Sequence, residues 1–156
     1  MVPSSGLVVR GATDVDLASI VAHYGPGGGD SPWDPFVDLR RIREVSGPGL
    51  LVAELEGTYA GFLFWYEARR PWYAPGVERY ARISDLHIVP AAQGKGVGRA
   101  LLREALSRIR SAGIDTVFLE TDEDNVRARR LYEGEGFVSV APSVVRYRRS
   151  AHEDAR

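Results

Sequence analysis

Cysteine is absent from this chain of 156 residues, and several kinds of chemistry are absent with it. Without thiols the protein can form no disulfide, hold no zinc through thiolates and use no cysteine nucleophile. Long apolar runs are also missing, since no stretch approaches the roughly 20 residues of a membrane-spanning helix. The first residues, MVPSSGLVVRG, lack the basic start of a secretory signal peptide. We therefore expect a cytoplasmic protein.

A dominant charge of either sign is missing as well. The net charge of −1 at pH 7 gives no overall attraction to nucleic acid or to an anionic membrane. Arginine supplies nearly all the cations, because Lys95 is the only lysine. The apolar fraction of 44% and the charged fraction of 26% are those of a globular protein. We expect one domain over residues 1–150 and a disordered tail over 151–156, with neither nucleic acid nor membrane as partner.

Apolar patterning and turn residues predict an α/β chain. Seven strands are expected, over residues 7–13, 50–56, 58–68, 79–89, 114–121, 137–141 and 144–150. Four helices are expected. The first follows its cap Thr13, with Asp16 at capping-box spacing, and the second begins at Asp34-Pro35. The third runs from the glycine-rich stretch to near Ala112, with Gly113 as its C-terminal cap, and the fourth covers 125–136, where Asn125 is a good N-cap by residue type. The glycine-rich residues 25–32 and the proline-bearing residues 69–78 are loops. The element order is therefore β-α-α-β-β-β-α-β-α-β-β, with a mixed sheet.

The stretch PAAQGKGVGRALL has three glycines where a helix must begin. A strand, a glycine-rich turn and a helix N-terminus together favour an anion site, because free backbone N–H groups converge there. The phosphate loop of nucleotide hydrolases is excluded, since Gly96 follows Lys95, and the dinucleotide fingerprint is excluded by Arg99. The pattern is Q-x-x-G-x-G, from Gln93 to Gly98. An ordinary glycine-rich turn is the alternative interpretation.

Two separate segments resemble the GNAT superfamily of N-acetyltransferases. ISDLHIVPAAQGKGVGRALL fits the family pattern of a strand, a proline and [QR]-x-x-G-x-[GA] without a gap. LETDEDNVRARRLYEGEGF resembles the second conserved block, a strand followed by Asn, a helix carrying Tyr, and Gly-Phe. Here these positions are Asn125, Tyr132, Gly136 and Phe137. The resemblance implies a single-domain fold with a mixed central sheet, splayed fourth and fifth strands and about four helices.

The resemblance also implies acetyl-CoA as co-substrate, without a metal ion. In such a protein the pyrophosphate lies on the amides of residues 93–98, and cationic side chains add charge at the rim. The pantetheine arm pairs with the backbone of the fourth strand, much as an added strand would. The residues implied in cofactor binding are Leu86, His87, Ile88, Gln93, Gly94, Lys95, Gly96, Val97, Gly98, Arg99, Asn125 and Tyr132.

The resemblance assigns Tyr132 as the general acid that serves the departing thiolate, with a core aromatic as the alternative. The general base is open between Glu120 at the end of the fifth strand, Asp85 on the fourth strand, and a chain of water molecules. Residues 85 and 87 share one strand face, and residues 84 and 86 share the other. His87 on an apolar strand is more typical of a core residue than of a catalyst.

Three large aromatics fall in predicted loops, where they have no obvious core role. Trp33, Trp72 and Tyr73 are expected to wall the acceptor site, although a dimer interface or local packing would also explain them. We expect an N-acetyltransferase that transfers the acetyl group to a small-molecule primary amine by direct attack, as a monomer or homodimer. The alternatives are an acetyltransferase acting on protein N-termini or lysines, and a non-catalytic acyl-CoA-binding module.

Overall fold

The computed structural model of the chain describes residues 6–24, 49–141 and 145–151. The strands are β1 (Leu7–Gly11), β2 (Leu50–Leu55), β3 (Thr58–Arg69), β4 (Arg79–Ile88), β5 (Thr116–Thr121), β6 (Val138–Ala141) and β7 (Val145–Ser150). The α-helices within these ranges are α1 (Asp14–Tyr24), α2 (Val97–Ser111) and α3 (Val126–Gly134), with a 3-10 turn at Pro90–Ala92. Trp33, the loop expected over residues 25–32 and the helix expected from Asp34 lie outside the described residues, as do residues 152–156.

All seven strands belong to one mixed sheet, in the order β1-β2-β3-β4-β5-β7-β6. The β4–β5 pair is parallel over Ala81–Ile83 and Val117–Leu119, which agrees with the expected splay because β4 continues to Ile88. The β1–β2, β2–β3, β5–β7 and β6–β7 pairs are antiparallel. The hairpin expected from β2 and β3 is confirmed. The α/β class expected from the sequence is therefore confirmed.

Two compact units interleave along the chain. Unit 1 comprises Met1–Phe64 with Asp85–Leu101, and unit 2 comprises Trp65–Ser84 with Leu102–Arg156. Apolar side chains of α1, β2 and β3 are fully buried in unit 1, namely Leu17, Ile20, Leu51, Val52 and Leu63. In unit 2 the fully buried side chains of α2, β5 and β7 include Leu102, Ala105, Ile109, Val117 and Tyr147. The glycine-rich turn belongs to unit 1, whereas β5 and α3 belong to unit 2.

The entry into α1 shows why β1 ends earlier than expected. The backbone N–H and the hydroxyl of Thr13 both donate to Asp16 Oδ2, at 2.7 and 3.0 Å, as the capping spacing predicts. Thr13 therefore belongs to the helix entry and not to the strand. Arg10 binds Asp16 through two guanidinium nitrogens, at 2.7 and 2.9 Å, and also donates to Glu54 at 2.7 Å. This ion-pair group fastens α1 to β1 and β2 in unit 1.

The end of α2 shows why β5 begins later than expected. The N–H of Ile114 donates to the Ile109 carbonyl at 3.2 Å, so residue 114 still completes the helix exit. Gly113 follows the helix with φ +79°, the left-handed conformation predicted for its C-terminal cap. Arg79 of β4 donates to the carbonyls of Ala112 and Gly113, at 3.0 and 3.1 Å. A cation thus neutralises the negative end of this helix.

Candidate active site

The glycine turn, residues 93–98, has a backbone that only glycine adopts readily at two positions. Gly94 has φ +77° and Gly96 has φ +82°, both in the left-handed region that costs L-residues about 1–2 kcal/mol. The Gln93 side chain donates to the Ile88 carbonyl at 3.4 Å, which ties the turn back to the end of β4. The glycine turn therefore follows directly from the strand and leads into α2.

The outer surface of the glycine turn is open. A Cβ built on Gly94 or Gly96 would have no non-neighbouring atom within 4 Å. The first helical hydrogen bond of α2 runs from the Ala100 N–H to the Gly96 carbonyl at 3.0 Å. The N–H groups of residues 97 and 98 precede that bond, so the helix itself gives them no acceptor. An anionic group can therefore approach these amides without meeting a side chain at Gly94 or Gly96.

The end of β4 lies close to β3 at Gly61. A Cβ on Gly61 would lie 2.4 Å from the His87 carbonyl oxygen, so only glycine allows this approach of the two backbones. The His87 ring centroid lies 6.3 Å from that of the buried Phe62. By strand alternation, Asp85 shares this face, and one of its carboxylate oxygens is shielded from solvent. Leu86, His87 and Ile88 are all half-buried.

Glu120 on β5 is held by an arginine that the sequence did not single out. Arg82 Nη1 lies 3.4 Å from Glu120 Oε1, and the two side chains are 26% and 28% exposed. Burial acts to lower the pKa of Arg82, but the hydrogen bond and charge of Glu120, together with Tyr66 and Tyr73, raise that pKa overall. The signal that could have found this pair was Arg82 itself, since it stands between the buried residues Ala81 and Ile83 of β4. This ion pair holds the Glu120 side chain in place at the end of β5.

An aromatic group lies on the same face of the sheet as Glu120. Phe118 shares this face by strand alternation, and the Tyr73 and Tyr80 rings meet it edge-on, at 5.1 and 5.4 Å. Trp72 meets Tyr73 edge-on at 5.4 Å and is 79% exposed. Burial raises the pKa of Tyr73, and the neighbouring Tyr80 adds to the effect. The structure thus places two of the three predicted acceptor aromatics, Trp72 and Tyr73, beside the face that carries Glu120.

Tyr132 on α3 is a buried side chain, with 7% of its surface exposed. Its ring lies 6.0 Å from the Phe137 ring and 5.8 Å from the Tyr147 ring. The helix begins at Asn125, whose side-chain oxygen accepts from the Ala128 N–H at 3.2 Å, so the N-cap expected by residue type is confirmed. Asn125 and Tyr132 therefore lie at the start and in the last turn of one short helix.

Glu120 and Tyr132 are associated with opposite faces of the sheet in unit 2. Partners in antiparallel register project to the same face, and Leu119 pairs with Tyr147. Tyr132 packs against Tyr147, so α3 covers the Leu119 face. Glu120 is the next residue along β5 and projects to the other face. The two candidate residues therefore belong to opposite faces of this part of the sheet.

Among residues 6–24, 49–141 and 145–151, no three His, Asp or Glu side chains are arranged to hold a metal ion. Within the same ranges, no helix is long and apolar enough to cross a membrane.

Comparison with known proteins decides the family. The model of the acetyltransferase (GNAT) family matches residues 18–137. The chain belongs to the GNAT family. Mycothiol acetyltransferase from Stackebrandtia nassauensis is 34% identical over 148 residues, which cover 86% of this chain and 45% of that protein. Mycothiol acetyltransferase from Frankia casuarinae is 35% identical over 99 residues, covering 62% and 29% respectively. The chain thus spans less than half the length of these relatives.

Solved structures show the same GNAT fold. YncA from Salmonella typhimurium, determined with its cofactor acetyl-CoA, has a TM-score of 0.78 at 22% identity, over 97% of this chain and 98% of that one. An N-acetyltransferase from Staphylococcus aureus has a TM-score of 0.77 at 19% identity, over 94% and 99% respectively. GNAT acetyltransferases use acetyl-CoA, and the open amides of the glycine turn fit its pyrophosphate.

Proposed function

We propose that the chain is an acetyl-CoA-dependent N-acetyltransferase that modifies a primary amine of a small molecule by direct attack. The open, left-handed glycine turn before α2 carries this proposal, because it offers an anion site in a chain of the GNAT family. The small-molecule acceptor is supported by the relatives named mycothiol acetyltransferase. A non-catalytic acyl-CoA-binding module is disfavoured, since such a protein would need neither Tyr132 nor Glu120.

The donor side uses mainly backbone groups. Amides of residues 93–98 bind the pyrophosphate, and the exposed side chains of Lys95 and Arg99 add positive charge. The backbone of residues 86–88 pairs with the pantetheine arm as an added strand would. Asn125 spends its side-chain oxygen on the Ala128 N–H, so its amide NH₂ remains a donor for the cofactor.

The reaction needs one base and one acid. Bound acetyl-CoA supplies an acetyl thioester. The acceptor nitrogen forms the new carbon–nitrogen bond while the carbon–sulfur bond breaks. Glu120 accepts the proton that the nitrogen loses, and the phenol of Tyr132 donates a proton to the departing sulfur. The chain has no cysteine, which agrees with transfer in one step and no thioester on the enzyme.

Glu120 suits the base role better than Asp85. Its side chain is partly open to solvent and lies on the face with Phe118, Tyr73 and Trp72, where the acceptor aromatics are found. Asp85 shares its face with His87, whose ring packs against the buried Phe62. This arrangement supports Glu120 as base and Trp72 and Tyr73 as acceptor-binding residues. Trp33 lies outside the described residues, so its role at the acceptor site stays a prediction from the sequence.

An amine panel tests the proposal directly. The purified chain is incubated with acetyl-CoA and separate amines: small aromatic and aliphatic amines, amino sugars, cysteinyl amides and short peptides. Thiol release is followed, and mass spectrometry identifies an acetylated nitrogen in the product. We expect amine-dependent thiol release with at least one small molecule. Acetylation of peptides alone would favour a protein acetyltransferase, and acetyl-CoA binding without transfer to any amine would favour a binding module.

A further inference from the structure

Tyr147 of β7 is the most completely enclosed large side chain next to the candidate acid. The residue has no exposed surface, yet its hydroxyl makes two hydrogen bonds to α3. It accepts from Arg129 Nε at 3.2 Å and donates to Glu133 Oε1 at 2.8 Å. Arg129 and Glu133 are four residues apart and project from the same side of the helix. One buried hydroxyl therefore holds two successive turns of α3.

The same residue also forms part of the packing around Tyr132. The ring centroid of Tyr132 lies 5.8 Å from that of Tyr147 and 6.0 Å from that of Phe137. The Phe137 N–H donates to the Tyr132 carbonyl at 3.0 Å, which fixes the backbone at that residue. Rotation of α3 about its axis would thus require the two hydrogen bonds of Tyr147 to break.

The position of Tyr147 in the sheet connects this helix to the strand of the candidate base. Tyr147 pairs in register with Leu119 of β5, the residue before Glu120, and with Ser139 of β6. Because β7 is paired with a strand on each side, ladder hydrogen bonds hold the backbone at Tyr147 from both sides. This residue provides a rigid reference against which α3 is oriented.

We propose that Tyr147 is a positioning residue for Tyr132. Its hydroxyl sets the rotation of α3 through Arg129 and Glu133, and thereby the direction of the Tyr132 phenol. The inference rests on the proposed acid role of Tyr132. Burial raises the pKa of Tyr147, against the lowering effect of Arg129, so the hydroxyl keeps the proton that it donates to Glu133.

Tyr147→Phe distinguishes a positioning role from a purely structural role, because the variant should remain folded. The Arg129 and Glu133 side chains are 35% and 51% exposed, so water can replace the Tyr147 hydroxyl at both. Tyr147→Phe keeps the buried ring, and we expect it to remain folded with a melting temperature close to that of the native chain. Tyr59→Phe is the matched control, because it also removes a solvent-shielded tyrosine hydroxyl, but in unit 1.

The first test needs no substrate. In protein labelled with ¹³C at tyrosine, Tyr132→Phe identifies the Tyr132 ring signal. We expect Tyr147→Phe to shift or broaden that signal and Tyr59→Phe to leave it unchanged. An unchanged Tyr132 signal in folded Tyr147→Phe would overturn the proposal, whatever the chain catalyses.

The second test is a double-mutant cycle with the best amine of the panel. We expect Tyr147→Phe to lower kcat about tenfold, with KM for acetyl-CoA within about twofold, and to have no further effect in the Tyr132→Phe background. An equal loss in both backgrounds would overturn the proposal, and so would native kcat in Tyr147→Phe. A Tyr132→Phe enzyme at full speed would instead remove the proposed acid, so the two failures are distinguishable.

Discussion

The glycine turn of unit 1 and the β5–α3 segment of unit 2 (residues 116–137) are built in opposite ways. The glycine turn offers backbone amides and empty space, since a Cβ on Gly94 or Gly96 would meet nothing. The β5–α3 segment offers side chains, and each depends on a partner from another strand. Glu120 is paired with Arg82 of β4, and Tyr132 packs on Tyr147 of β7.

This difference suggests a division of labour. A site made of backbone amides binds a ligand that is the same in every turnover, and it needs few side chains to do so. A site made of paired side chains can hold protons at chosen atoms, because its neighbours fix the direction of each group. Substitutions in the glycine turn should therefore change binding, and substitutions in the β5–α3 segment should change the chemical step.

The largest effect is expected at Tyr132. Tyr132→Phe removes one hydroxyl and keeps the ring between Phe137 and Tyr147, so the fold should survive. Loss of a positioned acid lowers rates by about 10²–10⁴, or about 3–5 kcal/mol of barrier. We expect kcat to fall in this range while acetyl-CoA affinity stays within about twofold. Steady-state kinetics measures kcat and calorimetry measures the affinity, with Tyr59→Phe as control. A native kcat in Tyr132→Phe would contradict the acid role and indicate that water protonates the thiolate.

The base is tested by a pair of substitutions. Glu120→Gln should lower kcat/KM by about 10² and flatten the rising limb of its pH profile. That limb reports the loss of a proton from the base, or from the amine through the base. Asp85→Asn should leave the limb in place. Both enzymes are compared with one acceptor, since the pKa of the amine also shapes the limb. The opposite pattern would assign the base role to Asp85. An unaltered limb in both variants would assign that role to a chain of water molecules.

Binding should respond most at the glycine turn. Gly96→Glu places a side chain and a negative charge where the pyrophosphate is proposed to lie. We expect acetyl-CoA affinity to fall at least about tenfold, or about 1.4 kcal/mol. Gly57→Glu is the matched control: Gly57 is also in unit 1, also has positive φ (+76°), and also has no atom near a built Cβ. Both variants thus place a glutamate at a similar positive φ, and only Gly96→Glu should lose affinity.

The acceptor side is tested at Trp72. Its indole is mostly exposed and meets Tyr73 edge-on, so its removal should cost little stability. Trp72→Ala should raise the acceptor KM about 2- to 10-fold, the range of one aromatic contact. The KM for acetyl-CoA should stay the same. Equal changes in both constants, or a changed oligomeric state by light scattering, would contradict the acceptor assignment.

The smallest effect is expected in the Arg10–Asp16 ion pair, which belongs to neither the glycine turn nor the β5–α3 segment. Hydrogen bonds from Arg10 lower the pKa of Asp16 in the folded chain, although burial opposes them. A lowered folded pKa gives stability that is present above the unfolded pKa of about 3.9 and is lost as pH falls through the folded value. Urea titration at several pH values measures how far the free energy of unfolding falls as the pH is lowered. This fall should be smaller in Asp16→Asn and unchanged in Asp124→Asn, where the aspartate is exposed. Identical acid profiles in all three would contradict the ion-pair account.

The sequence predicted the backbone features better than the side-chain partnerships. The β2–β3 hairpin, the Gly113 cap and the Asn125 N-cap are local, so neighbouring residues determine them. The glycine turn is local too, and its spacing was enough to find it. Strand boundaries shifted at Thr13 and Ile114 because residues at an exit or entry bond to the helix instead.

Arg82 and Tyr147 illustrate what sequence could not show. Arg82 is 38 residues from Glu120, and Tyr147 is 14 residues from Glu133. Strand order and register create these contacts, and neither follows from a local pattern. The same holds for the opposite faces of Glu120 and Tyr132, which depend on the β5–β7 register.

The division of labour is tested most directly by calorimetric titration of acetyl-CoA into Gly96→Glu and Tyr132→Phe, beside the native chain. This measurement needs no acceptor. The account predicts that Gly96→Glu binds at least about tenfold more weakly and that Tyr132→Phe binds within about twofold of the native chain. Native affinity in a folded Gly96→Glu protein would contradict the placement of the pyrophosphate on the glycine turn.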